Sequence, residues 1–371
     1  MKKAVINPEY LLYTLERLLD TPSPSGMTDA VVLLVCEELK AMKIPYELTR
    51  RGAIRADLKG KMSTPDRAIV SHLDTLGAMV KGFWPNGRLE VVPIGHWSAR
   101  FAEGARCTVY RDGNRTLRGT FLPKKASGHT FNEEVDSQPS DWSNLELRLD
   151  ARTTSEAETI ALGVNVGDTI AVDPNPEFTD DGFIVSRHLD DKAGAAAMLA
   201  AAKAIVDSRS LLEMDCHLLF TVNEEVGVGS SHILHGDVAE MVAIDNGTVA
   251  ERQYTSEYGV TIAMQDSSGP FDWYLTRHLL SLCKKHKLEH SRDVFRYYRS
   301  DAAAALEAGN DIRTALVCFG LDASHGWERV HAESLTALSR LLLVYMQSPP
   351  LFARDEKLLG PEGDLLDTSR H

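Results

Sequence analysis

The residues whose types and spacing could do chemistry are His72-Leu73-Asp74, Asp190-Asp191, Glu224-Glu225, Asp245 and His325. The two imidazoles and three of these carboxylates suit a pair of zinc-like divalent ions, with one carboxylate bridging them. His72 and Asp74 stand two apart, so in a strand both face the same side. The carboxylate is then placed to orient the imidazole through its second nitrogen. The adjacent Glu224 and Glu225 divide into two roles: one binds metal, and the other stays free to take a proton from water. Asp190-Asp191-Lys192 opens a segment containing Gly194-Ala195-Ala196-Ala197. Small residues there let a helix approach a sheet closely, and a helix N-terminus favours an anionic ligand.

Each cluster also has a plainer reading. A lone His-x-Asp is commonly a surface or capping feature, and Glu-Glu a solvated face. Asp190-Asp191 could cap a helix, and Asp245-Asn246-Gly247 could be a turn. Their joint placement is what counts. Each follows an apolar run of the buried-strand kind: Ala68–Ser71, Gly182–Ser186, Leu218–Val222, Met241–Ile244 and Thr314–Phe319. Ligand sites of open α/β sheets form at the carboxyl ends of strands. Among the other histidines, His188 repeats the His-Leu-Asp spacing but reads as a strand residue facing away from the site or lining it. His331 lies further from its strand end than His325. His96, His129, His217, His232 and His235 read as structural or exposed.

The elements that must position these groups follow from periodicity and breakers. Leu11, Leu12, Leu15, Leu18 and Leu19 give an amphipathic helix over 8–20, and Thr28 or Asp29 can cap another over about 28–42. A strand pattern lies near 53–58. From roughly 82 to 180, short β runs alternate with Gly, Asn and Asp turns, as in a small β-barrel or sandwich. Within it, 124–144 is polar and reads as a mobile loop. Beyond 182, strand-then-helix order returns, with helices expected at 193–206, 270–286, 301–308 and 333–347. The expectation is an α/β catalytic domain of residues 1–81 and 181–348, a β domain inserted at 82–180, and a polar tail at 349–371.

Composition narrows the class. Of 371 residues, 43% are hydrophobic and 25% charged, so a large core is available, and the net charge of -13 disfavours a nucleic-acid partner. No apolar stretch follows Lys2 and Lys3 as a signal peptide requires, and none reaches the ~20 residues of a membrane span. The five scattered cysteines form no Cys-x-x-Cys pair and fit a reducing compartment, so a cytoplasmic address is expected. Gly-x-Ser-x-Gly and His-Glu-x-x-His are both absent, which argues against serine-hydrolase and single-zinc protease chemistry.

With the clusters in order, the chain resembles the tetrahedral-aminopeptidase and glutamyl-aminopeptidase family of dinuclear zinc exopeptidases. Ser71-His72-Leu73-Asp74-Thr75-Leu76-Gly77 is similar to that family's Ala-His-x-Asp-Glu-Ile-Gly, and Leu189-Asp190-Asp191-Lys192-Ala193-Gly194 to its Asp-Asp-Arg-Ala-Gly motif. Thr221-Val222-Asn223-Glu224-Glu225-Val226-Gly227 resembles its Thr-x-x-Glu-Glu-Val-Gly, and Ser300-Asp301-Ala302 its Thr-Asp-Ala. The resemblance implies that His72, Asp190, Glu225, Asp245 and His325 hold two divalent ions, zinc first, with cobalt and manganese also suited. It implies Asp190 as the bridge, Asp74 behind His72, Glu224 as general base, and a cis bond between Asp190 and Asp191. The implied fold is a zinc-exopeptidase-like mixed sheet flanked by helices, with the inserted small β-barrel used in assembly of a homo-oligomer.

The implied reaction is hydrolysis of the N-terminal amide bond of peptides or small dipeptide-like substrates, with no membrane or nucleic-acid partner. Lys192 departs from the family's Arg, Ala323-Ser324-His325-Gly326-Trp327-Glu328 departs from its Tyr-x-His-Ser, and 124–144 has no counterpart in it. The chain also resembles a subgroup associated with the osmoprotectant N-acetylglutaminylglutamine amide. The same ligand set would serve a deacylase or carboxypeptidase acting on N-blocked substrates. A non-catalytic metal-binding regulatory protein is the reading from another class.

Overall fold

A computed structural model describes residues 4–352 and Asp355; most of the expected 349–371 tail therefore lies outside the described residues. Four strands at the heart of a mixed sheet run parallel. They are Leu212–Thr221, Gly60–His72, Val238–Thr248 and Arg313–Asp322, side by side in that order. Each carries a continuous buried apolar stretch, Leu218–Phe220, Ala68–Val70, Met241–Ile244 and Ala315–Phe319, as parallel strands covered on both faces require. The sheet continues through antiparallel Ile54–Leu58 and Tyr46–Leu48 on one side, and through Glu328–His331, Phe183–Ser186 and Glu177–Phe178 on the other. Strands Val260–Asp266 and His290–Val294, which periodicity did not single out, extend a branch from Arg313–Asp322.

Register brings the carboxyl ends level. Thr221 pairs with His72, and Val70 with Ala243, so two residues further on Asp245 stands beside His72. Asp245 therefore lies inside strand Val238–Thr248, not past its end, because the parallel ladder with Arg313–Asp322 continues through Thr248 and overrides the local turn preference of Asp-Asn-Gly.

Helix Leu189–Ser208 runs against this sheet with every residue from Leu189 to Ala202 buried. Its alanines let the backbones approach closely. At Gly194 a Cβ would lie 2.2 Å from Asp191 Oδ1 and 2.6 Å from Ile244 Cγ2, so only glycine fits. Helices Pro8–Leu19 and Ala332–Met346 complete this layer through Leu11, Leu15, Leu18, Leu335, Leu338 and Leu342. Among the described residues no helix is long and apolar enough to cross a membrane.

Six strands between Gly77 and Val172 close a separate antiparallel barrel around Val80, Val109, Phe121, Leu147 and Ile170. The polar 124–144 segment is not structureless. It forms short helical turns at Gly128–Phe131 and Glu134–Ser137 and a 3-10 turn at Trp142–Asn144. The Gln138 side chain bonds the Lys125 backbone N–H and carbonyl, and Trp142 packs edge-on against Trp97 at 4.8 Å between centroids. One aromatic and one amide hold what composition makes look loose.

Candidate metal centre

Strand ends, a helix start and two tight turns deliver the predicted residues to one buried pocket. His72 ends its strand, and Asp190 and Asp191 open the Leu189–Ser208 helix across a cis peptide bond. Glu224 and Glu225 lie on a 3-10 turn after Leu212–Thr221. His325 sits in the turn joining Arg313–Asp322 to Glu328–His331, at φ +64.

Two clusters of ligand atoms share one residue. His72, Asp190 and Asp245 offer atoms all within 4.8 Å of one another, and so do Asp190, Glu225 and His325. Asp190 gives one oxygen to each: Oδ1 is 3.1 Å from His72 Nε2, and Oδ2 is 3.4 Å from His325 Nε2. His325 Nε2 is also 3.7 Å from Glu225 Oε2. Glu224 belongs to neither cluster; its Oε2 stands 3.9 Å from His72 Nε2.

Both imidazoles are fixed from behind by backbone carbonyls. His72 Nδ1 is 2.9 Å from the Asp74 carbonyl, and His325 Nδ1 is 2.9 Å from the His96 carbonyl. A carbonyl only accepts, so each Nδ1 carries a proton, and each Nε2 faces the acidic pocket. The expectation that the Asp74 carboxylate orients His72 needs correcting, since its Oδ1 is 3.7 Å away. The carboxylate is turned instead toward the glutamate turn. It accepts the Glu224 N–H at 3.1 Å, the Glu225 N–H at 3.3 Å and the Ser25 hydroxyl.

Residues that sequence reasoning gave no role complete the frame. Glu328 accepts the His325 N–H at 2.8 Å and the Asp190 N–H at 3.2 Å, so one carboxylate holds a residue from each side of the centre. Its spacing three residues after His325 was the available signal. Asn246 donates to Asp190 Oδ2 at 2.7 Å and to Asp245 Oδ1 at 3.0 Å. Asp301 accepts the Thr221 hydroxyl and the Ser230 N–H, each at 2.6 Å, and so ties down the segment beyond the glutamates. His188 turns away, with Nε2 on the Val172 carbonyl at 3.0 Å, and His331 caps the Ala332–Met346 helix.

The electrostatics fit cations. Burial pushes Glu225 up to about 7 and raises Glu224 and Asp245 well above the carboxylate range, with neighbouring carboxylates adding to the shift. Burial works against charge on Asp190 too, but hydrogen bonds from His325 and His72 outweigh it and lower its pKa. Desolvation opposes charge on His325, yet Glu225 and Asp190 raise it to about 10. Anions so crowded together in a buried pocket call for positive charge, and imidazole plus carboxylate is a donor set for zinc, cobalt or manganese. The pocket opens into a cleft of about 1210 Å³ bounded by Phe101, Gln253, Arg296 and Tyr298. A short peptide has room there to approach Glu224 and His325.

Comparison with known proteins gives a consistent result. The sequence profile described as M42 glutamyl aminopeptidase matches residues 52–341. A Bacillus subtilis (strain 168) protein named "Putative aminopeptidase YhfE" is 36% identical over 335 residues, which span 90% of this chain and 96% of that protein. Among solved structures, the TET aminopeptidase of the marine sediment archaeon Thaumarchaeota archaeon SCGC AB-539-E09 superposes with a TM-score of 0.82 at 17% identity, covering 91% of this chain and 96% of that one. The Pyrococcus horikoshii TET1 peptidase, described as assembling into a tetrahedron or a large octahedral shell, gives 0.78 at 22% identity, covering 91% and 99%. These two share the fold.

Proposed function

The chain belongs to the M42 glutamyl aminopeptidase family, and on that premise we propose that it removes the N-terminal residue of peptides at a two-ion centre. As a member it is a metal-dependent peptidase hydrolase. The proposal assigns His72 and Asp245 to one ion, Glu225 and His325 to the other, and Asp190 to both. What supports it is Asp190, whose two carboxylate oxygens each face the imidazole of a different cluster.

When bound, the ions supply Lewis acidity, polarising the scissile carbonyl and acidifying water. The chain supplies the rest. Glu224 stands beside the clusters with no ligand role, takes the proton of the attacking water, and returns it to the leaving amine. Asp74 holds the turn that carries Glu224. The cleft receives the peptide with its free amine at the metal end. A homo-oligomer built through the barrel, and a cytoplasmic address, belong to the same reading.

Hydrolysis of paired peptides, free and N-acetylated, with zinc, cobalt or a chelator added, tests this. Small amidated dipeptides belong in the panel. Metal-dependent cleavage of the free-amine members alone is expected. Cleavage of the blocked members alone would overturn it in favour of a deacylase.

A further inference from the structure

His217 and His235, expected from sequence to be structural or exposed, meet two aspartates away from the catalytic centre. Asp57 of strand Ile54–Leu58 pairs with His217 of strand Leu212–Thr221. His235 comes from the loop before Val238–Thr248, and Asp66 from strand Gly60–His72. His217 lies four residues before Thr221, the partner of His72. At ~3.3 Å per residue that is roughly 13 Å along the sheet from the catalytic ligands.

The protons of this cluster do not balance. Three ring nitrogens face carboxylate oxygens: His217 Nδ1 to Asp57 Oδ1 at 2.7 Å, His235 Nε2 to the same oxygen at 2.9 Å, and His217 Nε2 to Asp66 Oδ2 at 3.2 Å. Two neutral imidazoles carry two N–H groups between them. One contact must then set a lone pair against a carboxylate oxygen, unless further positive charge enters. Hydrogen bonds from His217 and His235 hold Asp57 well below the usual carboxylate range, so it is an anion. Burial opposes charging of His217, but Asp57 and Asp66 outweigh it and raise its pKa.

A proton could supply the charge; the geometry favours a metal. One atom each from Asp57, His217 and His235 lies within 4.8 Å of the others. Asp66 stands behind His217 on its other nitrogen, the usual setting of a metal-bound imidazole, and is itself held by the Asp237 N–H at 2.9 Å. His217 is only 4% exposed, and the buried atoms Asp66 Oδ1 and His235 Nδ1 make no hydrogen bond. Gly236 closes the loop over the cluster at φ +73, where a Cβ would sit 2.3 Å from Asp66 Oδ2. The side chains of Asp57 and His235 remain 31% and 23% exposed, which leaves an entry path.

We propose that Asp57, His217 and His235 form a further divalent-cation site, taking zinc or cobalt, with Asp66 orienting His217 and water completing the shell. The two Asp57–imidazole separations, 2.7 and 2.9 Å, would open to the ~3.3 Å spacing of ligand atoms around a tetrahedral ion. The ion would tie the 233–237 loop to the paired strands Ile54–Leu58 and Leu212–Thr221.

The test counts zinc per chain in the full-length protein and in His235→Gln after equilibration and removal of free metal, and locates zinc by anomalous scattering in crystals of the unaltered protein. The variant is expected to hold one zinc fewer per chain with unchanged kcat/KM, and an anomalous peak is expected among the three side chains. Equal zinc in both proteins with no such peak would overturn the proposal and leave a proton on the cluster. Loss of zinc together with loss of activity, again without the peak, would assign the missing ion to the catalytic centre and overturn it too. Should His235→Gln fail to fold, the anomalous map decides alone.

Discussion

Replacing Asp74 with asparagine separates two ways in which this carboxylate could serve the reaction. In the structure it accepts the backbone N–H groups of Glu224 and Glu225 at 3.1 and 3.3 Å, while its own carbonyl holds His72 at 2.9 Å. Asparagine keeps one acceptor oxygen and turns an NH2 group toward the other N–H. One of the two glutamate amides is then left facing a donor, inside a site where Asp74 is fully buried. Losing a hydrogen bond to a charged acceptor and orphaning the buried N–H together cost about 2–4 kcal/mol. If that cost falls on the placement of Glu224 in the transition state, kcat drops roughly 30- to 1,000-fold. The assay is steady-state kinetics on an aminoacyl chromogenic substrate, with metal content measured on the same sample. Lower kcat, little change in KM and unchanged metal are expected, because the His72 tautomer is set by a carbonyl that the substitution keeps. A variant with near-normal kcat would refute the reasoning. So would one whose loss is restored by excess metal, since the carboxylate would then be acting through His72.

Other substitutions probe the remaining parts. Glu224→Gln should keep metal and fold while kcat falls about 10²- to 10⁴-fold, the usual worth of a general base; near-normal turnover would remove Glu224 from that role. Glu328→Ala removes the acceptor of both the His325 and Asp190 amides and should weaken metal binding about 10- to 100-fold, read by competition with a chromogenic chelator. Unaltered affinity would show that the frame stands without it. Arg67→Met strands buried Glu240, which Arg67 contacts at 2.6 Å, and should cost about 3–5 kcal/mol in urea unfolding. Adding Glu240→Leu should recover much of that, and a double variant no better than the single would count against the pairing.

What could be read from the sequence, and what could not, follows from how each feature is encoded. Strand Arg313–Asp322 and helix Leu189–Ser208 announce themselves through continuous apolar or alanine-rich runs, because a buried element needs that composition wherever it sits. His72, Asp190, Glu225 and His325 could be grouped because acidic and imidazole side chains after strand ends are costly unless used together. The direction of a carboxylate is not encoded in that way. Spacing placed Asp74 on the side of His72, but the chain bends after the strand. The carbonyl takes the imidazole and the carboxylate turns to two amides 150 and 151 residues away.

Glu328 escaped for a related reason. Its partners are backbone N–H groups, which every residue offers and no motif marks. The His217 cluster needed four segments brought together by pairing and a glycine turn, so each member alone read as an ordinary polar residue. Ligands that bind through side-chain chemistry leave a trace in residue type. The groups that aim them act through the backbone and the fold, and only the assembled structure shows which way they point.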